Sequence, residues 1–249
     1  MKNLLLFSLI IIGLLGCRKD PQRTVCSNCG DNITAESTDY FLGDAQDLAY
    51  RIISKDSSHI GFNQIELEEN TENCILSKLS AIYEASQSAT GNFHDMLDIY
   101  HVHQGSRTVL NFLTIKFIDS SSLRTELINN PGNTSEPFLN QLYNDYGFIA
   151  STQNWGDNIY FYSPDNYNIR YIKQALIQIP EITQVYLDFY FLDGLSIEHI
   201  SYPNHDIFIF GYGWGDCPSG CFSTHFWKVK VDDSCIVSLV EEYGNELPE

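Results

Sequence analysis

Four short stretches rich in apolar, β-branched and aromatic residues in the last third of the chain place the strongest constraint on its fold. They cover residues 183–192, 206–214, 222–231 and 235–241, and clusters of glycine, proline, asparagine and aspartate separate them. Short runs of this composition are typical of strands, and the intervening clusters are typical of turns. Successive strands joined by turns predict a C-terminal β-meander.

The sequence before this meander shows both helical and strand patterns. Apolar residues at helical spacing predict a first helix that Asp44 would cap and a second helix near residues 72–86. Over residues 109–192 the predicted order is strand, helix, strand, helix, strand, which suits a ferredoxin-like split β-α-β unit. These patterns together predict an α+β fold with N-terminal helices, a mostly antiparallel sheet and a single globular domain over residues 40–249.

The N-terminus carries the pattern of an export signal. Lys2 precedes an apolar run over residues 4–15, which has the length of a signal-peptide core and is shorter than the roughly 20 residues of a membrane-spanning helix. The run ends in Leu-Leu-Gly followed by Cys17, and this ending resembles a bacterial lipobox. The resemblance implies a lipoprotein signal peptide over residues 1–16, a lipid on Cys17, and a flexible tether over residues 17–39.

Export and composition together indicate where the protein works. Lipid attachment implies a membrane-anchored protein of the cell envelope, held by acyl chains such as palmitate, at the outer membrane or cell surface rather than the inner membrane. The formal net charge is −18, from 32 acidic and 14 basic residues. Nucleic-acid-binding proteins neutralise phosphates with clustered lysine and arginine, so this composition excludes a general nucleic-acid binder. The expected partners are the membrane, through the lipid, and envelope proteins or glycans.

The cysteines beyond the lipobox predict disulfide bonds, because an exported chain meets an oxidising compartment. There are six of them: Cys26, Cys29, Cys74, Cys217, Cys221 and Cys235. Cys217 and Cys221 flank a Pro-Ser-Gly turn and are the predicted local pair. Cys26 and Cys29 could close a similar small loop, which would leave Cys74 for Cys235.

The segment over residues 211–227 is the densest in chemically distinctive residues. It contains Gly-Trp-Gly-Asp-Cys-Pro-Ser-Gly-Cys followed by His225-Phe-Trp227. A similar stretch occurs in a group of uncharacterised exported bacterial proteins, which the chain also resembles over residues 98–103 and 169–190. The resemblance covers most of the mature chain and implies a shared fold and an exported location, but no activity.

Three functional interpretations of this segment compete with a disulfide beside a structural histidine. Cys217, Cys221 and His225 could bind zinc with Asp216 or a distant cysteine as fourth ligand, although a disulfide would consume both thiolates and the spacing is not that of a zinc finger. The two cysteines could form a redox pair, but they lie between strands and lack the helix N-terminus that activates such a thiol. The third interpretation is a ligand-binding patch of Tyr212, Trp214, Asp216, His225 and Trp227 at the mouth of the hairpin.

The alternation of side chains between the two faces of a strand indicates which residues of this ligand-binding patch are exposed. His225 and Trp227 share one face of their predicted strand, and Lys228 and Lys230 share the other. The face with the lysines is the wetter one, so His225 and Trp227 are predicted to point into the core. A buried histidine held by a hydrogen bond is then favoured over a histidine that contacts ligand.

A second group of histidines suggests a metal site as a minor alternative. His101 and His103 would share one side of an extended segment, and His94, Asp95 and Asp98 lie close to them in the sequence. Imidazole and carboxylate groups are common metal ligands. No second motif supplies further ligands, so a surface loop is the favoured interpretation.

The sequence contains no established catalytic or cofactor-binding motif. We therefore assign no catalytic residue, cofactor or metal, and predict a lipid-anchored binding or structural module of the cell envelope. The alternative is a metal-dependent or hydrolytic envelope enzyme that uses His101, His103 or His225 near the C-terminal hairpin.

Overall fold

The computed structural model describes residues 29–30, 33–152, 158–191 and 194–248. The predicted signal peptide, the predicted lipidation site Cys17 and Cys26 of the predicted tether lie outside these residues. The described part of the chain contains six α-helices and eight strands: α1 (Ala35–Lys55), α2 (Glu69–Gln87), α3 (Asn92–Asp98), β1 (Ser106–Phe117), α4 (Ser122–Asn129), α5 (Pro137–Asn144), β2 (Ile149–Thr152), β3 (Asn158–Tyr162), α6 (Ile169–Leu176), β4 (Ile182–Phe191), β5 (Leu195–Tyr202), β6 (His205–Trp214), β7 (Ser223–Asp232) and β8 (Val237–Gly244). The predicted α+β class is confirmed.

The first four strands form the predicted ferredoxin-like unit. They make an antiparallel sheet in the order β2-β3-β1-β4. The chain passes from β1 through α4 and α5 to β2, continues to β3, and returns through α6 to β4. Each helical connection therefore skips one strand, which is the split β-α-β arrangement. We refer to β1–β4 with α4–α6 as the ferredoxin-like half.

One face of this sheet packs against its helices. Leu113 on β1 lies opposite Phe161 on β3 and Leu187 on β4, and residues opposite one another on neighbouring strands share a face. That face and the apolar sides of the helices form a continuous core, which includes Leu113, Ile115, Phe161, Leu123, Leu127, Leu139, Leu142, Ile169, Ile172 and Leu176. The intervening strand residues therefore lie on the opposite face.

The last four strands form a C-terminal meander as predicted, but the strand predicted over residues 183–192 is β4 of the first sheet, and β5, which was not predicted, takes its place. They are antiparallel and neighbour one another in chain order, β5-β6-β7-β8. Buried residues alternate along β7 from His225 to Val231, so one face of the sheet is covered. The covering residues come from α1, α2 and α3, and the shared core includes Phe41, Leu48, Ile75, Leu79, Ile82, Met96, Phe208, Phe210, Trp227 and Val229. We refer to β5–β8 with α1–α3 as the meander half.

The first helix begins earlier than the sequence predicted. Its N-cap is Thr34, whose hydroxyl accepts a hydrogen bond from the Ser37 amide at 3.1 Å, while the Ser37 hydroxyl accepts one from the Thr34 amide at 3.0 Å. This reciprocal capping box fixes the helix start. Asp44 is therefore not a cap but a buried residue inside the helix. The folded body also includes Cys29, which is buried, so it extends into the segment predicted as tether.

The disulfides differ in part from the predicted pairing. Cys217 is bonded to Cys221 as predicted, and Cys29 is bonded to Cys235. The proposed Cys26–Cys29 and Cys74–Cys235 pairs are therefore wrong, although Cys74 is also disulfide-bonded. The physical reason is the position of Cys29. Its amide donates a hydrogen bond to the Ser77 hydroxyl on α2, and its Cα lies 5.6 Å from that of Cys235, a distance that suits a disulfide.

Candidate ligand-binding site

The face of the first sheet opposite its helices is rich in aromatic residues. Phe112 on β1 lies opposite Tyr162 on β3, and Thr114 lies opposite Tyr160 on β3 and Tyr186 on β4. These residues alternate with the core residues of the same strands, so they share the other face. Tyr162 and Tyr186 are 40% and 45% exposed. We call this surface the open face.

A cavity of about 600 Å³ borders the open face where the pairing of β1 with β4 shifts register, so that Phe112 and Tyr162 contribute from the open face and Leu187 from the set that faces the core. It is lined by Val109, Asn111, Phe112, Tyr162, Ser163, Leu187, Asp188, Phe189 and Tyr190. Phe189 and Tyr190 are more than half exposed, at 54% and 64%. The lining therefore combines accessible aromatic rings with a carboxylate, an amide and phenolic hydroxyl groups, which is the mixture expected of a site for a polar organic ligand.

The polar groups of the cavity are held by the surrounding strands. The Asn111 side-chain amide donates to the Ser163 carbonyl oxygen at 3.0 Å, which joins β1 to the end of β3. The Ser163 hydroxyl donates to the Tyr146 carbonyl oxygen, also at 3.0 Å. These bonds fix the cavity wall before any ligand binds, which reduces the entropy cost of binding.

The ligand-binding patch predicted from the sequence is divided between surface and interior. Tyr212 and Trp214 are partly exposed on β6, with their rings stacked 5.5 Å apart. Asp216 is exposed in the following turn, whereas Trp227 is completely buried. His225 is also buried, at 6% exposure, so both β7 residues point inward. The five residues therefore do not form one accessible surface.

His225 is held by the C-terminal segment. Its Nδ1 lies 2.7 Å from the Asn245 carbonyl oxygen, and its Nε2 lies 3.0 Å from the Glu242 carboxylate. Both ring nitrogens therefore have protein partners, which favours a structural role. Cys217 and Cys221 are bonded to each other, so their thiolates are not zinc ligands in this state.

The second predicted group of histidines is not assembled into a metal site. His101 adopts a left-handed backbone conformation with φ 45°, so the segment is not extended and the two imidazoles do not align. Among the residues that the structure describes, no three histidine, cysteine, aspartate or glutamate side chains lie close enough together to hold a metal ion.

His103 instead belongs to a cluster around Asp44 that the sequence did not predict. The buried Asp44 carboxylate binds His103 Nδ1 at 2.6 Å, the Gln104 amide at 2.8 Å and Arg107 Nη2 at 2.7 Å. Gly43 leaves room for the guanidinium, because a β-carbon there would clash with it. This Asp44 cluster ties α1 to the start of β1 and so connects the two halves. Aspartate can orient a catalytic histidine in this way, but here the same carboxylate also binds arginine.

A second cluster of charged residues lies inside the meander half. Lys78 from α2 and Asp206 from β6 form an ion pair through Nζ and Oδ2, and both side chains are 2% exposed. His199 Nε2 from β5 lies 2.9 Å from the other oxygen of Asp206, and its side chain is 8% exposed. Burial alone would raise the pKa of Asp206, but the hydrogen bonds from His199 and Lys78 outweigh burial and lower it. We call this group the Lys78 cluster.

The two buried clusters do leave a signal in the sequence. Asp44 lies three residues after Phe41 and four before Leu48, and Lys78 lies three after Ile75 and four before Ile82. Residues at this spacing share one helix face. Each charged residue therefore lies on the apolar face of its helix, where a charge requires a buried partner.

Comparisons of the chain with known protein families, with curated proteins and with solved structures found no match. Within the described ranges, no helix has the length and apolar character needed to cross a membrane.

Proposed function

We propose that this protein is a lipid-anchored binding module of the cell envelope, and that its open face binds neutral glycans. The observation that carries the proposal is the cavity at the open face, where exposed aromatic rings lie beside Asp188 and Asn111. The lipobox-like N-terminus and the disulfides support an exported location.

The chemistry of the open face suits sugars better than other ligand classes. A pyranose ring has an apolar face that can stack on a tyrosine or phenylalanine ring, and hydroxyls that bind carboxylate and amide groups. The net charge of −18 disfavours nucleic acids and polyanionic glycans by electrostatic repulsion. Asp188, Asn111 and the phenolic hydroxyls make the cavity too polar for a purely apolar ligand.

Binding can be tested by titration calorimetry on the full exported protein in detergent micelles. The probes are neutral oligosaccharides of the cello, chito, malto and manno series. We expect at least one series to bind with Kd between about 1 μM and 1 mM. Tyr190→Ala should weaken that binding about tenfold, because it removes the most exposed ring of the cavity (64% exposed).

The matched control for this titration is Tyr202→Ala. Tyr202 is also an exposed tyrosine, at 43%, but it lies on β5 in the meander half. This substitution should leave Kd unchanged. Absence of binding to all four series, or an equal loss of binding in both variants, would refute a glycan site at the open face.

The membrane anchor requires a separate test. Cys17→Ser removes the thiol that the lipobox resemblance assigns to lipid attachment. We expect this variant to lose metabolic labelling by palmitate and to leave the membrane fraction. Unchanged labelling and fractionation would contradict lipidation at Cys17, whatever the outcome of the glycan titration.

A further inference from the structure

The Lys78 cluster brings an amine and a carboxyl group into direct contact at a site that water hardly reaches. Lys78 Nζ bonds Asp206 Oδ2, and the two residues are 128 positions apart in the chain. The contact joins the middle of α2 to the start of β6, so it spans the helix layer and the sheet of the meander half.

We propose that Lys78 and Asp206 condense to an intramolecular isopeptide bond, with His199 as the group that assists the reaction. Three requirements of amide formation are present in the Lys78 cluster. The nucleophilic nitrogen contacts the carboxyl group, a hydrogen-bonding imidazole lies 2.9 Å from the other carboxyl oxygen, and burial excludes the water that would reverse the reaction.

Burial also bears on the protonation states that the reaction requires. Condensation needs a neutral amine and a neutral carboxyl group, and transfer of one proton from Nζ to Oδ2 converts the ion pair into that neutral pair without any outside acid or base. Removal from water penalises separate charges more than neutral groups. The hydrogen bonds that lower the pKa of Asp206 favour the ion pair, so the neutral pair is the minor form from which condensation proceeds.

The reaction balances without a co-reactant. After proton transfer, the Nζ lone pair attacks Cγ of Asp206 and forms one N–C bond. His199, acting as donor to Oδ1, stabilises the negative charge that develops on this oxygen in the tetrahedral intermediate. A second proton moves from nitrogen to Oδ2, the C–Oδ2 bond breaks, and one water molecule leaves. Nothing is oxidised or reduced.

Peptide mapping of the full exported protein tests the proposal. The protein is reduced and alkylated, digested with trypsin and a second protease, and analysed by tandem mass spectrometry. We expect a branched peptide in which Lys78 is joined to Asp206, lighter than the two separate peptides by the mass of one water molecule. Recovery of both linear peptides, with normal tryptic cleavage after Lys78, would overturn the proposal.

The same digest contains an internal control. Lys228 Nζ lies 3.4 Å from the Glu241 carboxylate, but these side chains are 35% and 54% exposed. Trypsin should cleave normally after Lys228, since the pair is open to water. A branched peptide at Lys228 as well would indicate non-specific cross-linking and would also overturn the proposal.

His199→Phe tests the role of the imidazole. Phenylalanine can keep the ring contact with Phe208, which lies 4.9 Å from the His199 ring, but it cannot donate to Asp206. We expect the linear peptides to replace the branched one in this variant, with a far-ultraviolet circular dichroism spectrum like that of the wild type. A branched peptide at the wild-type yield would exclude His199 from the reaction. The wild-type digest remains decisive even where the variant does not fold.

Discussion

The ferredoxin-like half and the meander half each pack three helices on one face of a four-stranded sheet, but their interiors differ. The buried polar residues of the ferredoxin-like half are uncharged: Thr114, Ser121, Thr134, Ser163 and Asn168. The meander half instead buries charged side chains, namely Asp44, Asp47, Lys78 and Asp206. It also contains every cysteine of the described residues: Cys29, Cys74, Cys217, Cys221 and Cys235.

The difference in interior coincides with a difference in where the cavity and the disulfides lie. The cavity and the exposed aromatic rings that line it belong to the half that apolar packing and neutral hydrogen bonds hold together. Among the described residues, disulfides and buried charges lie in the half that Cys29 joins to the predicted lipid tether. A buried charge is costly when its partner is lost, so the meander half should be the more sensitive of the two to single polar substitutions.

The largest expected effect is that of Lys78→Met. It leaves Asp206 buried without its lysine partner, whether the two are held by the ion pair or by the proposed isopeptide bond, and the loss of one member of a buried ion pair alone destabilises a protein by about 3–5 kcal/mol. The free energy of unfolding is measured by urea denaturation. Lys228→Met removes the partly exposed lysine of the pair with Glu241 and should cost less than about 1 kcal/mol. Equal losses in the two variants would contradict the contrast between buried and exposed charge.

Removal of the Cys29–Cys235 and Cys217–Cys221 disulfides should lower the free energy of unfolding by unequal amounts. The Cys29–Cys235 bond joins residues 206 positions apart, whereas Cys217–Cys221 spans four. A longer closed loop restricts the unfolded chain more, so we expect a loss of about 3–4 kcal/mol for Cys29→Ala with Cys235→Ala and about 2 kcal/mol for Cys217→Ala with Cys221→Ala. Thermal unfolding at one protein concentration gives both values. A greater loss from the short loop would show that turn geometry outweighs chain entropy here.

Asp47 should give the interface between the halves a measurable pH dependence. Its carboxylate on α1 accepts a hydrogen bond from the Thr108 amide on β1 at 3.2 Å and pairs with Arg51. Burial raises the pKa of Asp47, and Arg51 only partly offsets this. The folded protein therefore holds this proton more tightly than the unfolded chain, and the contribution of Asp47 to stability falls as pH rises from about 4, the ordinary aspartate pKa.

Asp47→Asn tests the sign of this effect, because asparagine does not titrate. The stability of the variant relative to the wild type should increase between pH 4 and pH 7, as followed by urea denaturation at each pH. A relative stability that decreases over this range would mean that Arg51 and Thr108 dominate over burial.

The sequence predicted the sheets better than the charged clusters, and the reason is physical. Short strand-like runs and the turn residues between them specify β6, β7 and β8 locally, so these three strands of the meander could be predicted. The preceding strand, β5, was missed because it alternates Ile197 with Glu198 and places His199 on the covered face, so its pattern is less apolar. Polar residues at core positions are interpretable only once their partners, distant in the chain, are known.

The sequence pointed to the meander sheet and not to the open face for a related reason. Alternation along β1 separates Phe112 and Thr114 from Leu113 and Ile115, but it does not specify which set the helices cover. Both sets contain large apolar or aromatic residues. The aromatic residues of 212–227, which glycine and cysteine surround, were predicted to form a ligand-binding patch, yet Trp227 is a core residue. The position of the helices decides between the faces, and that position is a tertiary property.

The smallest expected effect is on the free energy of unfolding after a substitution on the open face. It distinguishes a role of this face in ligand binding from a role in folding. Tyr186 and Val185 are neighbours on β4, but Tyr186 is 45% exposed and Val185 is 4% exposed. Tyr186→Ala should change the free energy of unfolding by less than about 0.5 kcal/mol, whereas Val185→Ala should cost roughly 1–2 kcal/mol from lost burial and the cavity it leaves. Urea denaturation of both variants provides the comparison. If Tyr186→Ala proved as damaging as Val185→Ala, the tyrosine would have a structural role and the open face would be part of the packed fold. An unchanged stability would mean that the aromatic ring is not needed for folding and can contact a ligand without cost to the fold.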